Sequence, residues 1–246
     1  MLPVLVLQHS PDVEPGFFGE YLTENGIPWV LVRIDQGQAP PPSMQPFSGL
    51  GLMGGEMSVN DPLDWIEPVC QLVRQADSTA KPVIGHCLGG QLMAKAFGAT
   101  VRQHVRKELG WGQLQVSDPR LGNDWLGLEH GSIPAFQWHG DTFGWPQNAQ
   151  PLLTGRYCEH QAFVIEKQGQ VAHLGMQCHV EMTSDLVERW VAKGGEDICH
   201  ALAHDPVAVQ SAEEILNNLQ SRCANMRIHT RRLYDRWVKG LSADPV

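Results

Sequence analysis

The segment Lys81-Pro82-Val83-Ile84-Gly85-His86-Cys87-Leu88-Gly89-Gly90-Gln91 carries three signals in sequence. Residues 82–85 are a short apolar run, the mark of a strand buried on both faces. A helical pattern starts at once, from about residue 88 to residue 97, and stops at Gly98. Between them, Gly85-His86-Cys87-Leu88-Gly89 has the G-x-nucleophile-x-G spacing of a strand-to-helix elbow, with cysteine where hydrolases usually carry serine. Glycine is demanded on either side because side chains there would collide across a tight, strained turn. A cysteine at that corner sits at a helix N-terminus, where unpaired N–H groups and the helix dipole favour the thiolate. The backbone N–H of Leu88 points the same way and can donate to an oxyanion. His86 adjoins the cysteine in sequence, but an elbow makes its side chain diverge from the thiol, so it reads as structural.

Upstream, strands and helices alternate. Residues 3–8 and 29–34 are apolar strands, and residues 50–53 form a third after a proline-rich loop at residues 39–42. Phe17, Tyr21 and Leu22 have helical spacing and end at the stop signal Asn25-Gly26. Asn60-Asp61-Pro62 reads as an N-cap with proline at the first helical position, opening a helix with Leu63, Ile66, Val69, Cys70 and Val73 on one face. This alternation predicts a doubly wound α/β fold, a mostly parallel sheet with helices on both faces.

Downstream, from residue 107 to 177, the pattern changes. Residues 111–116, 135–138, 162–165 and 171–176 are expected strands, several of them antiparallel, with one turn at Gln168-Gly169. Thr183-Ser184 caps a helix reaching about Lys193. Residues 211–238 read as one long helix with Ile215, Leu219, Met226, Leu233 and Trp237 on a stripe. The expected organisation is an α/β domain over residues 1–195 and a helical C-terminal extension over residues 196–246, packed on the same domain or serving a homodimer contact.

Composition sets the class. A chain of 246 residues, 42% hydrophobic and 18% charged, can bury a large globular core. A net charge of −9 argues against a nucleic-acid partner. The apolar residues 2–8 are too short to span a bilayer and lack a basic start, and no later stretch reaches membrane length, so no membrane role is expected. Six cysteines without CxxC spacing read as reduced thiols in a cytoplasmic protein. Neither a metal nor a cofactor is expected, and there is no P-loop.

A thiolate nucleophile needs a histidine, and the histidine needs a carboxylate to orient it. Two segments offer that pair at i, i+2, which puts both side chains on one side of an extended chain: His139-Gly140-Asp141 and His179-Val180-Glu181. Context leans to the second, at a strand end just before a capped helix, but spacing leaves both open. Met53-Gly54-Gly55-Glu56 follows the third strand, and its paired glycines let a backbone N–H approach a reacting carbonyl.

Taken together, these motifs resemble a known family. The Gly85–Gln91 segment resembles the G-x-C-x-G-x-Q nucleophile motif of class I (triad-type) glutamine amidotransferases. Gly175-Met176-Gln177-Cys178-His179-Val180-Glu181 resembles their G-x-Q-F-H-P-E segment. Gln137-Trp138-His139-Gly140-Asp141 is similar to a strand that helps close their glutamine pocket, especially in the amidotransferase part of GMP synthase and its stand-alone relatives. Met53-Gly54-Gly55-Glu56 looks like their G-G-P oxyanion loop. All four fall in family order between residues 53 and 181.

The resemblance implies a flavodoxin-like sheet with antiparallel additions. It assigns Cys87 as nucleophile, His179 as base and Glu181 as its orienter, with oxyanion donors at the Gly55 and Leu88 backbones. Gly54, Gln91, Gly140 and Asp141 would surround the substrate, glutamine or a γ-glutamyl small molecule. Val180, Cys178 and Glu56 depart from the family's proline, phenylalanine and proline. Glu56 is expected to face solvent or to read a substrate amine. Three functions follow: an amidotransferase passing ammonia to a separate synthetase, a self-contained hydrolase of γ-glutamyl amines or peptides, and a silent binding protein on the same scaffold.

Overall fold

The computed structural model describes residues 1–167 and 171–241; the turn expected at Gln168-Gly169 lies outside the described residues. Five short strands, β1 (Val4–Gln8), β2 (Trp29–Arg33), β3 (Gly49–Leu52), β4 (Val83–His86) and β9 (Ala172–Met176), pair in parallel in the order β2-β1-β3-β4-β9. Beyond β9 the sheet turns antiparallel through β8 (Ala162–Glu166) and β7 (Gln150–Thr154) to the hairpin of β5 (Val101–Val116) and β6 (Ser132–Phe143).

Alternation along β1 explains the layers. Val4 and Val6 join one buried cluster and Leu5 and Leu7 another, because successive side chains leave a strand on opposite faces. The second cluster is closed by α2 (Ile66–Ser78) and α3 (Leu88–Ala96). The first is closed by α1 (Gly16–Glu24), α4 (Pro119–Leu126) and α8 (Leu219–Val238), with Phe18, Trp125, Tyr234 and Trp237 filling it. A third cluster joins β6 to α5 (Ser184–Lys193), α6 (Gly195–His204) and α7 (Ala212–Leu216). The loops after β3, β4 and β9 therefore meet at one end of the parallel half, where open α/β sheets hold their ligands.

Several local expectations give way to tertiary structure. Helix α2 starts at Ile66 with no side-chain cap. Asn60 instead donates to Val101 O at 2.9 Å, Asp61 accepts from Ser58 N at 2.9 Å, and Leu63 lies exposed off the helix. The β5–β6 hairpin is much longer than its apolar runs, with a register shift between Gln103 and Glu108. The tail is two helices, α7 and α8: Asn218 adopts φ 55° between them, a left-handed conformation that breaks the helix while the apolar stripe continues across it. Among the described residues, no helix is long and apolar enough to cross a membrane.

Candidate active site

The elbow is built on backbone contact. Cys87 has φ 51° and ψ −108°, and its N–H donates to Met176 O of β9 at 2.9 Å. A Cβ on Gly85 would lie 2.5 Å from the Gly89 carbonyl group, the collision across the turn expected from the spacing. Cβ atoms on Gly89 and Gly90 would each fall 2.2 Å from a carbonyl oxygen, those of Leu52 and Met176. The glycines thus let the start of α3 nest between β3 and β9. Leu88 is the first residue of α3, so its N–H is among those left without an intrahelical partner.

His179 is fixed by β6. Its N–H donates to Phe136 O at 2.8 Å, and Phe136 N–H donates back to His179 O at 3.1 Å. The ring's Nδ1 lies 2.6 Å from Glu181 Oε1, and Trp190 packs edge-on to it at 4.9 Å. Thiol and ring converge over Gly54: a Cβ there would stand 3.0 Å from His179 Cε1 and 3.6 Å from Cys87 Cβ. Burial works against a charged imidazole, but the Glu181 carboxylate and the charge and hydrogen bonding of Cys87 outweigh it and push His179 up to about 10. Burial likewise opposes ionisation of Glu181, yet the charge and hydrogen bond of His179 hold its carboxyl below the usual range.

The other histidine–acid pair does not form. His139 Nε2 lies 2.9 Å from Glu108 Oε2 and Nδ1 lies 3.0 Å from the main-chain oxygen of Asp141. The Asp141 carboxylate accepts instead from Ser58 Oγ at 2.9 Å. Glu108, His139 and Cys158 bring one possible metal-ligand atom each within 4.8 Å of one another. Hydrogen bonds already occupy these groups: Glu108 accepts from Gln161 at 2.8 Å, and Cys158 meets the Thr142 hydroxyl at 3.3 Å.

A cavity of about 400 Å³ opens over the elbow, lined by Cys87, His179, Gly55, Glu56, Trp138 and Trp190 among others, with a Lys193–Asp12 ion pair on its wall. Glu56, on the loop after β3, is exposed. Gln91, Gly140 and Asp141 are not among the lining residues. Gln91 is buried and donates to Gln177 Oε1 at 3.3 Å, and Gln177 in turn donates to Cys87 Sγ at 3.6 Å. Asp141 reaches the loop after β3 through Ser58. Sequence reading quoted Trp138 only as part of its motif, gave it no role of its own, and missed Trp190. Trp138 alternates with Gln137 and His139 on β6, a signal that it faces the opposite side; Trp190 carries no local signal, since α5 aims it only through tertiary packing.

The family model described as "Glutamine amidotransferase class-I" matches residues 19–192. A glutamine amidotransferase structure from Methylobacillus flagellatus superposes with a TM-score of 0.93 at 37% identity, covering 99% of this chain and 97% of that one. The glutamine amidotransferase-like protein YfeJ of Salmonella typhimurium is 26% identical over 198 residues, 78% of this chain and 81% of its own. Gamma-glutamyl peptidase 4 of Arabidopsis thaliana is 25% identical over 185 residues, 72% of each chain.

Proposed function

This chain belongs to the class I glutamine amidotransferase family of C–N hydrolase-type enzymes, and from that premise we propose that it hydrolyses the γ-glutamyl C–N bond of glutamine or a γ-glutamyl amine, with Cys87 as nucleophile. The support is one juxtaposition: a cysteine on a strained strand-to-helix turn and an imidazole held 2.6 Å from a buried carboxylate, both opening on one cavity. The Cys87 thiolate attacks the carbonyl carbon of the side-chain amide, and the resulting oxyanion is held by the Gly55 and Leu88 N–H groups. His179, oriented by Glu181, gives its proton to the departing nitrogen as the C–N bond breaks, leaving a γ-glutamyl thioester. Water then gives a proton to His179 and attacks the thioester, and glutamate leaves. Gly54 leaves room for ring and thiol to meet. Gln91 steadies Gln177 beside the sulfur, and the Gly140-Asp141 corner steadies the oxyanion loop through Ser58.

The substrate defines two forms of this reading. In the first, ammonia released from glutamine serves a synthetase. The tryptophan-walled cavity favours the second form, a γ-glutamyl amine or peptide hydrolase, because an apolar wall gives an organic leaving group something to bury against. Amine or ammonia release from glutamine and a panel of γ-glutamyl amides, measured for the wild type and Cys87→Ala, tests both. Turnover lost in Cys87→Ala supports the shared mechanism, and the substrate with the highest kcat/KM selects the form. Equal turnover in the two proteins would refute it.

A further inference from the structure

The three consecutive carbonyls of His179-Val180-Glu181 are held by three different elements. His179 O accepts from Phe136 N–H of β6 at 3.1 Å, and Glu181 O accepts from Phe17 N–H at the start of α1 at 2.8 Å. Val180 O, between them, accepts from the Thr230 hydroxyl of α8 at 3.1 Å. The same hydroxyl proton is shared with Met226 O at 3.0 Å, the ordinary i−4 acceptor of a helical threonine. Four residues further along α8, the Tyr234 hydroxyl lies 3.0 Å from Nε2 of His86, the residue before Cys87.

Residues i and i+4 lie on one helix face. A single face of α8 therefore touches the segment carrying the imidazole and the segment carrying the thiol. Both contacts are deep: Thr230 is 1% exposed, and Tyr234 and His86 are fully buried. Phe18 packs at 5.6 Å from the His86 ring and 5.1 Å from the Tyr234 ring, closing the contact from the α1 side. Burial favours the neutral form of His86, leaving a ring nitrogen able to accept from the tyrosine. Neither Thr230 nor Tyr234 lines the cavity, so neither touches substrate.

Resting on the reading of Cys87, His179 and Glu181 given above, we propose that Thr230 and Tyr234 are positioning residues and that α8 brackets the site, setting the Cys87 sulfur against the His179 ring. The Thr230 bond fixes the peptide plane from which Glu181 departs. The Tyr234 bond fixes the side chain that enters the elbow just before the nucleophile. Both residues lie beyond residues 19–192, the stretch that the family model matches.

The test is kinetic and uses the full chain. Thr230→Val, Thr230→Ser, Tyr234→Phe and the exposed control Ile228→Ala are assayed with γ-glutamyl-p-nitroanilide and with glutamine. Iodoacetamide alkylation of Cys87, resolved by peptide mass, is followed against pH, and thermal melting verifies that each variant is folded. Thr230→Val and Tyr234→Phe are expected to lower kcat by roughly tenfold or more with KM little changed. The pH midpoint of Cys87 alkylation should rise in both, because a displaced imidazole stabilises the thiolate less. Thr230→Ser restores the hydroxyl and should recover most of kcat; Ile228→Ala should match the wild type. Folded Thr230→Val and Tyr234→Phe that keep kcat and the alkylation profile within about twofold of wild type would overturn the bracket while leaving the triad intact. Undiminished hydrolysis by Cys87→Ala would overturn the triad and the bracket together.

Discussion

Cys87, at φ 51° and ψ −108°, occupies backbone territory that a residue with a Cβ enters at a cost of about 1–3 kcal/mol and that glycine enters freely. Replacing it by alanine or by glycine removes the sulfur in both cases, so the difference between the two variants reports the backbone and the Cβ. At an ordinary helix or strand position glycine is the less stable of the pair by about 0.5–1 kcal/mol. Here the sign should invert. Relief of about 1–3 kcal/mol of strain, less about 0.5–1 kcal/mol of chain entropy and a few tenths for Cβ packing near Gly54, leaves Cys87→Gly more stable than Cys87→Ala by about 1 kcal/mol. For a chain of this size that corresponds to roughly 2–4 °C in Tm. Urea denaturation of the two variants at neutral pH, with matching m-values, measures the difference directly. A Cys87→Gly variant less stable than Cys87→Ala by the ordinary 0.5–1 kcal/mol or so would mean that the turn stores no strain, and the structural reason for the elbow would fall.

Gly90→Ala should cost about 1–3 kcal/mol in the same assay, since its Cβ would sit 2.2 Å from the Met176 carbonyl oxygen and neither backbone can yield easily; a neutral effect would show that the contact relaxes freely. Against the opposing pull of burial, folding raises His179 from its usual 6.5 to about 10, chiefly through Glu181. The stabilisation is therefore complete below pH 6.5 and is lost as pH climbs towards 10. Relative to His179→Gln, wild-type stability should decline across that window; parallel curves would refute the coupling. Glu108→Ala removes the buried acceptor shared by His139 and Gln161 and should destabilise by about 1–3 kcal/mol in urea denaturation while leaving the Cys87 pocket's lining untouched; a loss below about 0.5 kcal/mol would show that these hydrogen bonds hold nothing in place. Trp190→Ala, removing the ring that packs edge-on to His179, should lower both Tm and kcat/KM; unchanged kinetics would remove Trp190 from the site.

The parts of the fold legible in the sequence are those enforced by short-range sterics. Gly85, Gly89 and Gly90 announce the elbow because no side chain fits where they stand. The buried parallel strands announce themselves because both their faces must be apolar. The parts that escaped depend on distant partners. Asn60-Asp61-Pro62 has the chemistry of a helix cap, but Asn60 is engaged by β5. Residues 102–107 of β5 are mostly polar and half-buried or exposed, so that stretch lacks an apolar run to betray it. Asn218 interrupts the tail with a backbone dihedral that the apolar stripe does not encode. In the site, the i, i+2 spacing served both histidine–acid pairs equally. What separates them is Glu108, which lies far from His139 in sequence and takes its ring. The cavity wall was the least legible part, since Trp138 and Trp190 come from different elements and acquire meaning only once β6 and α5 pack together.

Covalent capture of Cys87 is the most direct measurement of the mechanism. An electrophilic glutamine analogue bearing a γ-diazoketone, followed by intact mass and peptide mapping, should add one label per chain at Cys87. Labelling should vanish in Cys87→Ala, slow sharply in His179→Gln, and track loss of hydrolysis in the wild type. Full hydrolytic activity with Cys87 unlabelled, or a label on another cysteine that tracks the loss of activity, would contradict the assignment of Cys87 and His179.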